Sequence, residues 1–423
     1  MIVRKFFAWI ALLAFCLNGS PVRAYSVLTH EQIVDLAWED RIQPMLLQRY
    51  PQSTPQDLRR AHAFAYGGSL VQDMGYYPFG NKFFSDLVHY VRTGDFVEAL
   101  LHDASDVNEY AFALGALAHY SSDNIGHPTI NRVTAIEFPK LRAKFGDEIT
   151  YADDHKAHIR TEFGFDMVQV AKNRYTSDRY HDFIGFEIAK PLLERAFQET
   201  YGLKLSEVLG DEDLAIGSFR RAVSKFIPAM TRVALLNKRA DLVGESRTSS
   251  RKKFLYHVSR SNYEKEWGKG YRRPGIGSRI LAFFLRHIPK VGPATALDFK
   301  VPSQRSEDMY IKSVDDTIDN YHTLLRDLAN HNLKLQQKDC DTGRDTEPGE
   351  YSLTDATYAK LLDELSKHEF KEITPDLRNN ILAFYAAAPQ TKMRHEKSWK
   401  RAQVELERLK AWDLVGTTPP GTR

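Results

Sequence analysis

His, Asp and Glu recur in this chain at a spacing that lets side chains of one helix act together. In Ala-Leu-Ala-His119-Tyr-Ser-Ser-Asp123-Asn-Ile-Gly-His127-Pro the ligand-type residues fall four apart. At 3.6 residues per turn they share one face, drifting by about 40° per step. His158-x3-Glu162 repeats the spacing. Neutral imidazole and ionised carboxylate at this interval can grip one cation, and a mixed nitrogen and oxygen donor set suits zinc. Each residue also has an ordinary reading. His158 with Glu162 could be a surface ion pair, and His30 a first-turn helix residue. His89 could pair with Asp86, and Asp73 in Gly67-Gly-Ser-Leu-Val-Gln-Asp73-Met-Gly75 could be a turn carboxylate. The mainly apolar run 111–118 leading into His119, Asp123 and His127 argues for a buried, paired set, because burying the carboxylate alone would be costly.

The elements that must carry these residues read as helices. Thr29-x-x-Gln32 has the form of a capping box opening a helix through Ala37 and Trp38. Apolar periodicity predicts further helices at about 55–66, 81–93, 95–101, 107–122, 134–145, 153–171, 180–200, 214–237, 307–335, 355–367 and 375–387. Strand-like alternation is nearly missing and no internal repeat is seen, so the expected fold is all-α, a multi-helix bundle.

The order of the chemical residues resembles that of the zinc-dependent phospholipase C superfamily, which includes the trinuclear zinc nucleases. That order is a processed N-terminal residue, His, Asp, His, His-x3-Asp, His, then His-x3-Glu or His-x3-Asp. Here it is Tyr25, His30, Asp73, His89, His119-x3-Asp123, His127 and His158-x3-Glu162, all between Tyr25 and Leu236. The resemblance implies three Zn²⁺ ions. The α-amine and carbonyl of Tyr25 with His30 would hold one, Asp73, His89 and His119 a second, with Asp123 bridging them, and His127, His158 and Glu162 a third. It further implies attack on a phosphate ester by a metal-activated water that Asp73 orients or deprotonates. Three divalent ions against Asp73, Asp123 and Glu162 leave net positive charge suited to a phosphodiester anion. The chain departs from the usual pattern in having Tyr25 where Trp is common. Its Asp123-x3-His127 is shorter than the usual Asp-x5-His and more similar to the N-terminal domain of glycosylphosphatidylinositol-specific phospholipase D.

An α-amine ligand requires a cleaved chain, and the first 24 residues have the form of an export signal. Arg4 and Lys5 precede an apolar run over 6–17, and Val22-Arg23-Ala24 offers a small-residue cleavage site before Tyr25. Phe15 argues against lipidation at Cys16. No later segment reaches the ~20 apolar residues of a membrane span, so the expected location is periplasmic or secreted. The leader holds Arg4, Lys5 and Arg23 and no acid, so 58 basic against 55 acidic residues becomes 55 against 55. A formally neutral chain argues against broad electrostatic capture of nucleic acid. Cys340 alone survives cleavage, which excludes an intramolecular disulfide.

The expected organisation is a signal peptide at 1–24, a catalytic domain at 25–243, a basic and aromatic insertion or linker at 244–300, a helical C-terminal extension at 301–412 and a disordered tail at 413–423. The polar, turn-rich loop 336–350 is also expected to be disordered. Residues 277–290 could lie amphipathically on a membrane as a peripheral contact, and 251–273 could stack single-stranded nucleic acid. The expected function is an exported zinc-dependent phosphodiesterase, a phospholipase C acting on glycerophospholipids. A trinuclear zinc nuclease, and a non-catalytic helical protein that binds lipid or a protein partner, stay open.

Overall fold

The computed structural model describes residues 27–172, 175, 186–223, 227, 299–387 and 396–416. Among the described residues every regular element is helical, and the backbone pairing of Lys338 with Asp345 is an isolated bridge. The protein is all-α, as expected. The leader, Tyr25 and the stretches 251–273 and 277–290 lie outside the described residues. Among the described residues no helix is long and apolar enough to cross a membrane.

The first elements are α1 (Val27–Ala37), a π-helical turn at Trp38–Ile42, α2 (Gln43–Arg49) and α3 (Pro55–Val71). A 3₁₀ turn at Gln72–Tyr76 leads to α4 (Lys82–Tyr90) and α5 (Thr93–Asp103). Thr29 does not cap α1, which begins two residues earlier. Its hydroxyl donates to Asp166 Oδ1 at 2.9 Å and stands 2.7 Å from the Tyr310 hydroxyl, tying α1 to distant segments.

The centre of the bundle is α6 (Val107–Glu137), a 31-residue helix opened by Asp106, whose carboxylate accepts from the Asn108 and Glu109 N–H groups. The apolar periodicity places the end of this helix at about 122. Instead α6 continues past Pro128, which lacks the N–H that would bond the Asn124 carbonyl. Packing outweighs that loss, because α6 is buried on nearly all sides and its neighbours hold its course.

One neighbour is α3, which continues to Val71 rather than ending near 66. Gly67 and Gly68 look like a turn signal but serve close packing. A methyl group at Gly68 would overlap the Phe112 carbonyl, and one at Gly115 would overlap the Ala65 carbonyl. The two backbones therefore touch, which brings Ser69 O within 2.8 Å of His119 Nδ1. Gly115→Ala should lower stability by about 1–3 kcal/mol through overpacking. Thermal unfolding of this variant at the native midpoint would contradict that packing role.

After α7 (Pro139–Phe145) comes α8 (His155–Ala171), then α9 (Lys190–Tyr201), α10 (Leu205–Leu209) and α11 (Glu212–Arg221). The C-terminal part adds α12 (Gln304–Ala329), α13 (Ser352–Lys367), α14 (Pro375–Ala386) and α15 (Glu396–Gly416), so residues 413–416 are helical. Leu70, Phe84, Leu114 and Leu117 share one apolar core with Tyr310, Tyr321, Leu361 and Ile381. Along α12, Tyr321 donates to Leu114 O at 2.9 Å and Asn320 Nδ2 to Ser121 Oγ at 2.9 Å, which fastens α12 to α6.

The loop 336–350 is folded, contrary to the expectation from its composition. Tyr120 donates to Gln336 O, Gly94 N to Gln337 Oε1, Lys338 N to Thr93 Oγ1 and Cys340 N to His89 O. Gly343, at φ +68°, lies against the Asn124 carbonyl that Pro128 leaves free. Partners distant in sequence satisfy the backbone groups of this polar segment, and composition is blind to such partners.

Candidate metal centre

Each helix delivers its residues to one buried region. His30 comes from α1, Asp73 from the 3₁₀ turn and His89 from the last turn of α4. His119, Asp123 and His127 line one face of α6, and His158 and Glu162 lie one turn apart on α8. All eight side chains are buried. They form three groups, each with ligand atoms within 4.8 Å of one another: His30 with His119 and Asp123, Asp73 with His89 and His119, and His127 with His158 and Glu162. Two of the ordinary readings fail on this geometry, while His30 does stand in the first turn of α1 and Asp73 in a 3₁₀ turn. Asp86 pairs with Lys82 and not with His89, and the His158–Glu162 pair is in the interior.

Asp123 is the hub. The Nε2 atoms of His119, His89, His127 and His30 stand 3.0, 3.3, 3.4 and 3.6 Å from its two oxygens. Neither Asp123 oxygen nevertheless has a hydrogen-bond partner, and the same holds for both ring nitrogens of His158 and for Glu162 Oε1. His158 Nε2 and Glu162 Oε1 are 2.8 Å apart, within ion-pair distance but outside hydrogen-bond geometry. Atoms that converge without bonding each other are arranged as ligands of a further atom.

Two imidazoles have their tautomers fixed. His89 Nδ1 lies 2.7 Å from Ser85 O and His119 Nδ1 lies 2.8 Å from Ser69 O. A carbonyl only accepts, so each Nδ1 carries a proton and Nε2 is the nitrogen each ring turns inward. Those two Nε2 atoms face each other at 3.3 Å, close enough to be ligands of one cation. Asp73 Oδ1 is 3.6 Å from His89 Nε2.

The electrostatics agree. Burial, reinforced by His119, holds His30 well below the usual imidazole range, and burial also lowers His89. Burial alone would raise Asp123, but the His119 and His127 rings beside it hold its carboxyl well below the usual carboxylate range. For His127, burial opposes the charged form, yet Asp123, with Glu162 and Asp341, more than offsets it and raises the ring to about 9. Burial pushes Glu162 up against the pull of His158. The region favours positive charge inside and keeps His30 and His89 neutral, with lone pairs available. Buried imidazoles and carboxylates without thiolate fit zinc.

The sequence-level reading missed Asp341. It sits on the loop 336–350, and its Oδ1 is 3.8 Å from His127 Nδ1. Its neighbour Cys340 bonds the His89 carbonyl at 3.0 Å. No periodicity marks either residue. Gly343, which needs a left-handed backbone and close approach, was the available hint of a structured loop. Tyr25, the expected N-terminal ligand, lies outside the described residues.

Residues 29–210 match a family model described as zinc dependent phospholipase C. No curated protein and no solved structure matches the chain.

Proposed function

Starting from residues 29–210 as a domain of the zinc-dependent phospholipase C superfamily, we propose that this protein is an exported zinc phosphodiesterase that hydrolyses glycerophospholipids. The observation that carries the enzymatic reading is the convergence of four imidazole Nε2 atoms on the two oxygens of Asp123. The family's own description favours a phospholipid over other phosphodiesters.

Zinc bound here would supply a Lewis acid and a water acidic enough to act as nucleophile near neutral pH. The residues do the rest. Asp123 joins the His30 group to the group of Asp73, His89 and His119, fixing their separation. The Ser69 and Ser85 carbonyls hold His119 and His89 with Nε2 inward, so little reorganisation is needed at the moment of reaction. Asp73 takes the role of orienting the attacking water and accepting its proton. His127, His158 and Glu162 form the group at the far side of Asp123, set to balance charge on the phosphate.

The deciding measurement gives the zinc-loaded chain beginning at Tyr25 two substrates, phosphatidylcholine vesicles and single-stranded DNA. Release of phosphocholine with the DNA left intact is the expected result. Cleavage of DNA alone would replace the lipid reading with a nuclease. A zinc-loaded chain inert on both would sink the enzymatic reading. One further expectation concerns the new N-terminus: a single residue added before Tyr25 should lower zinc content and rate together. Unchanged zinc content and rate would refute an α-amine ligand.

A further inference from the structure

His89 and His119 are each steadied by a carbonyl of the N-terminal half, Ser85 O and Ser69 O. For His127 the acceptor facing the outer nitrogen comes from elsewhere. The ring points Nε2 toward Asp123 Oδ1 at 3.4 Å and Glu162 Oε1 at 4.0 Å, while Nδ1 faces Asp341 Oδ1 at 3.8 Å. At that distance the pair interacts through charge, which reaches further in a buried setting than in water.

Asp341 is itself held from several directions. The Tyr90 and Tyr351 hydroxyls both donate to its Oδ2, at 2.8 and 2.5 Å, which leaves Oδ1 turned to His127. Asn131 Nδ2 donates to its carbonyl at 2.8 Å, and its N–H donates to Asp339 Oδ1 at 2.9 Å. Tyr90 follows His89 directly, and Asn131 stands one turn beyond His127 on α6. The loop is therefore braced on the same helices that carry candidate ligands. A carboxylate set behind an imidazole fixes its orientation and increases its basicity toward a metal, more strongly than a carbonyl does.

We propose that Asp341 is a positioning residue for the His127, His158 and Glu162 site, supplied by a C-terminal loop outside the matched family domain. The inference rests on reading those three residues as a metal site. It makes zinc retention there depend on the C-terminal part of the chain.

The test uses the full zinc-loaded protein and follows zinc retention against a weak competing chelator, together with helix content and thermal midpoint. Asp341→Asn keeps size and hydrogen-bond acceptance but removes the charge. One class of zinc should then be held about 10–100-fold more weakly, with the remaining zinc and the helix content preserved. Tyr351→Phe, which leaves the carboxylate but removes one of its anchors, should act in the same sense and less strongly. Asp341→Glu should recover part of the loss. Native retention in Asp341→Asn would overturn the proposal, as would equal weakening of every zinc, which would assign Asp341 to general folding. If Asp341→Asn does not fold, Tyr351→Phe decides, and unchanged retention in it overturns the proposal. A native chain that binds no zinc overturns the metal reading itself and this proposal with it; zinc bound natively but indifferent to Asp341 overturns the proposal alone.

Discussion

Asp123→Asn is expected to abolish useful turnover. The amide matches the carboxylate in size but carries no charge, and its NH₂ group is a donor that no metal accepts. Four Nε2 atoms lie within 3.6 Å of the Asp123 oxygens. The substitution therefore disrupts the His30 group and the neighbouring Asp73, His89 and His119 group at once. Loss of one preorganised donor in an active site already costs about 10²–10³-fold, and removal of the shared ligand should exceed that. Zinc analysis should show loss from both groups, with the His127, His158 and Glu162 group least affected. A variant that keeps full zinc content and more than a tenth of the native rate would remove Asp123 from the centre of the mechanism.

Chelation should have the second large effect, on stability. A ligand that binds the folded state alone contributes about 4 kcal/mol at a thousand times its dissociation constant. For domains of 150–250 residues each kcal/mol moves the midpoint by roughly 2–4 °C, and a larger shared core moves less, so stripping even one tightly held zinc should lower it by about 5 °C or more. The structural reason lies in what remains after the metal leaves. The Nε2 atoms of His89 and His119 face each other at 3.3 Å, and neither oxygen of the buried Asp123 makes a hydrogen bond of good geometry. Equal thermal midpoints with and without chelator would contradict both the occupancy and its linkage to folding.

Different parts of this centre differ in how far the sequence discloses them, and the reason is range. His119, Asp123 and His127 lie on one helix, so their four-residue spacing already states that they share a face. The pair on α8 is legible in the same way. Asp73 and His89 reach the centre through the packing of α3 on α6 and of the 3₁₀ turn on α4, and no local pattern encodes that packing; the order of residues along the chain alone points to them. Local rules also mislead at two places. Gly67 and Gly68 look like a break because glycine destabilises an isolated helix, yet the missing side chain of Gly68 lets α3 lie against α6, and that of Gly67 leaves room for the Glu187 carbonyl. Pro128 looks like a helix end, yet surrounding contacts carry α6 past it. Asp341 was beyond reach, since its role depends on a loop whose bonds to Tyr90, Thr93, Tyr120 and Asn131 run to residues far away in the sequence.

The bonds from that loop also set an order of assembly. A polypeptide is made from its N-terminus, so His30 through Glu162 leave the ribosome before residues 336–351. Until those residues follow, the His89 carbonyl lacks the Cys340 N–H and the Tyr90 hydroxyl lacks the Asp341 carboxylate. A nascent or C-terminally truncated chain thus carries every described candidate ligand while one wall around them is still missing. The described candidate ligands alone therefore leave that side of the site without the bonds that Cys340 and Asp341 supply.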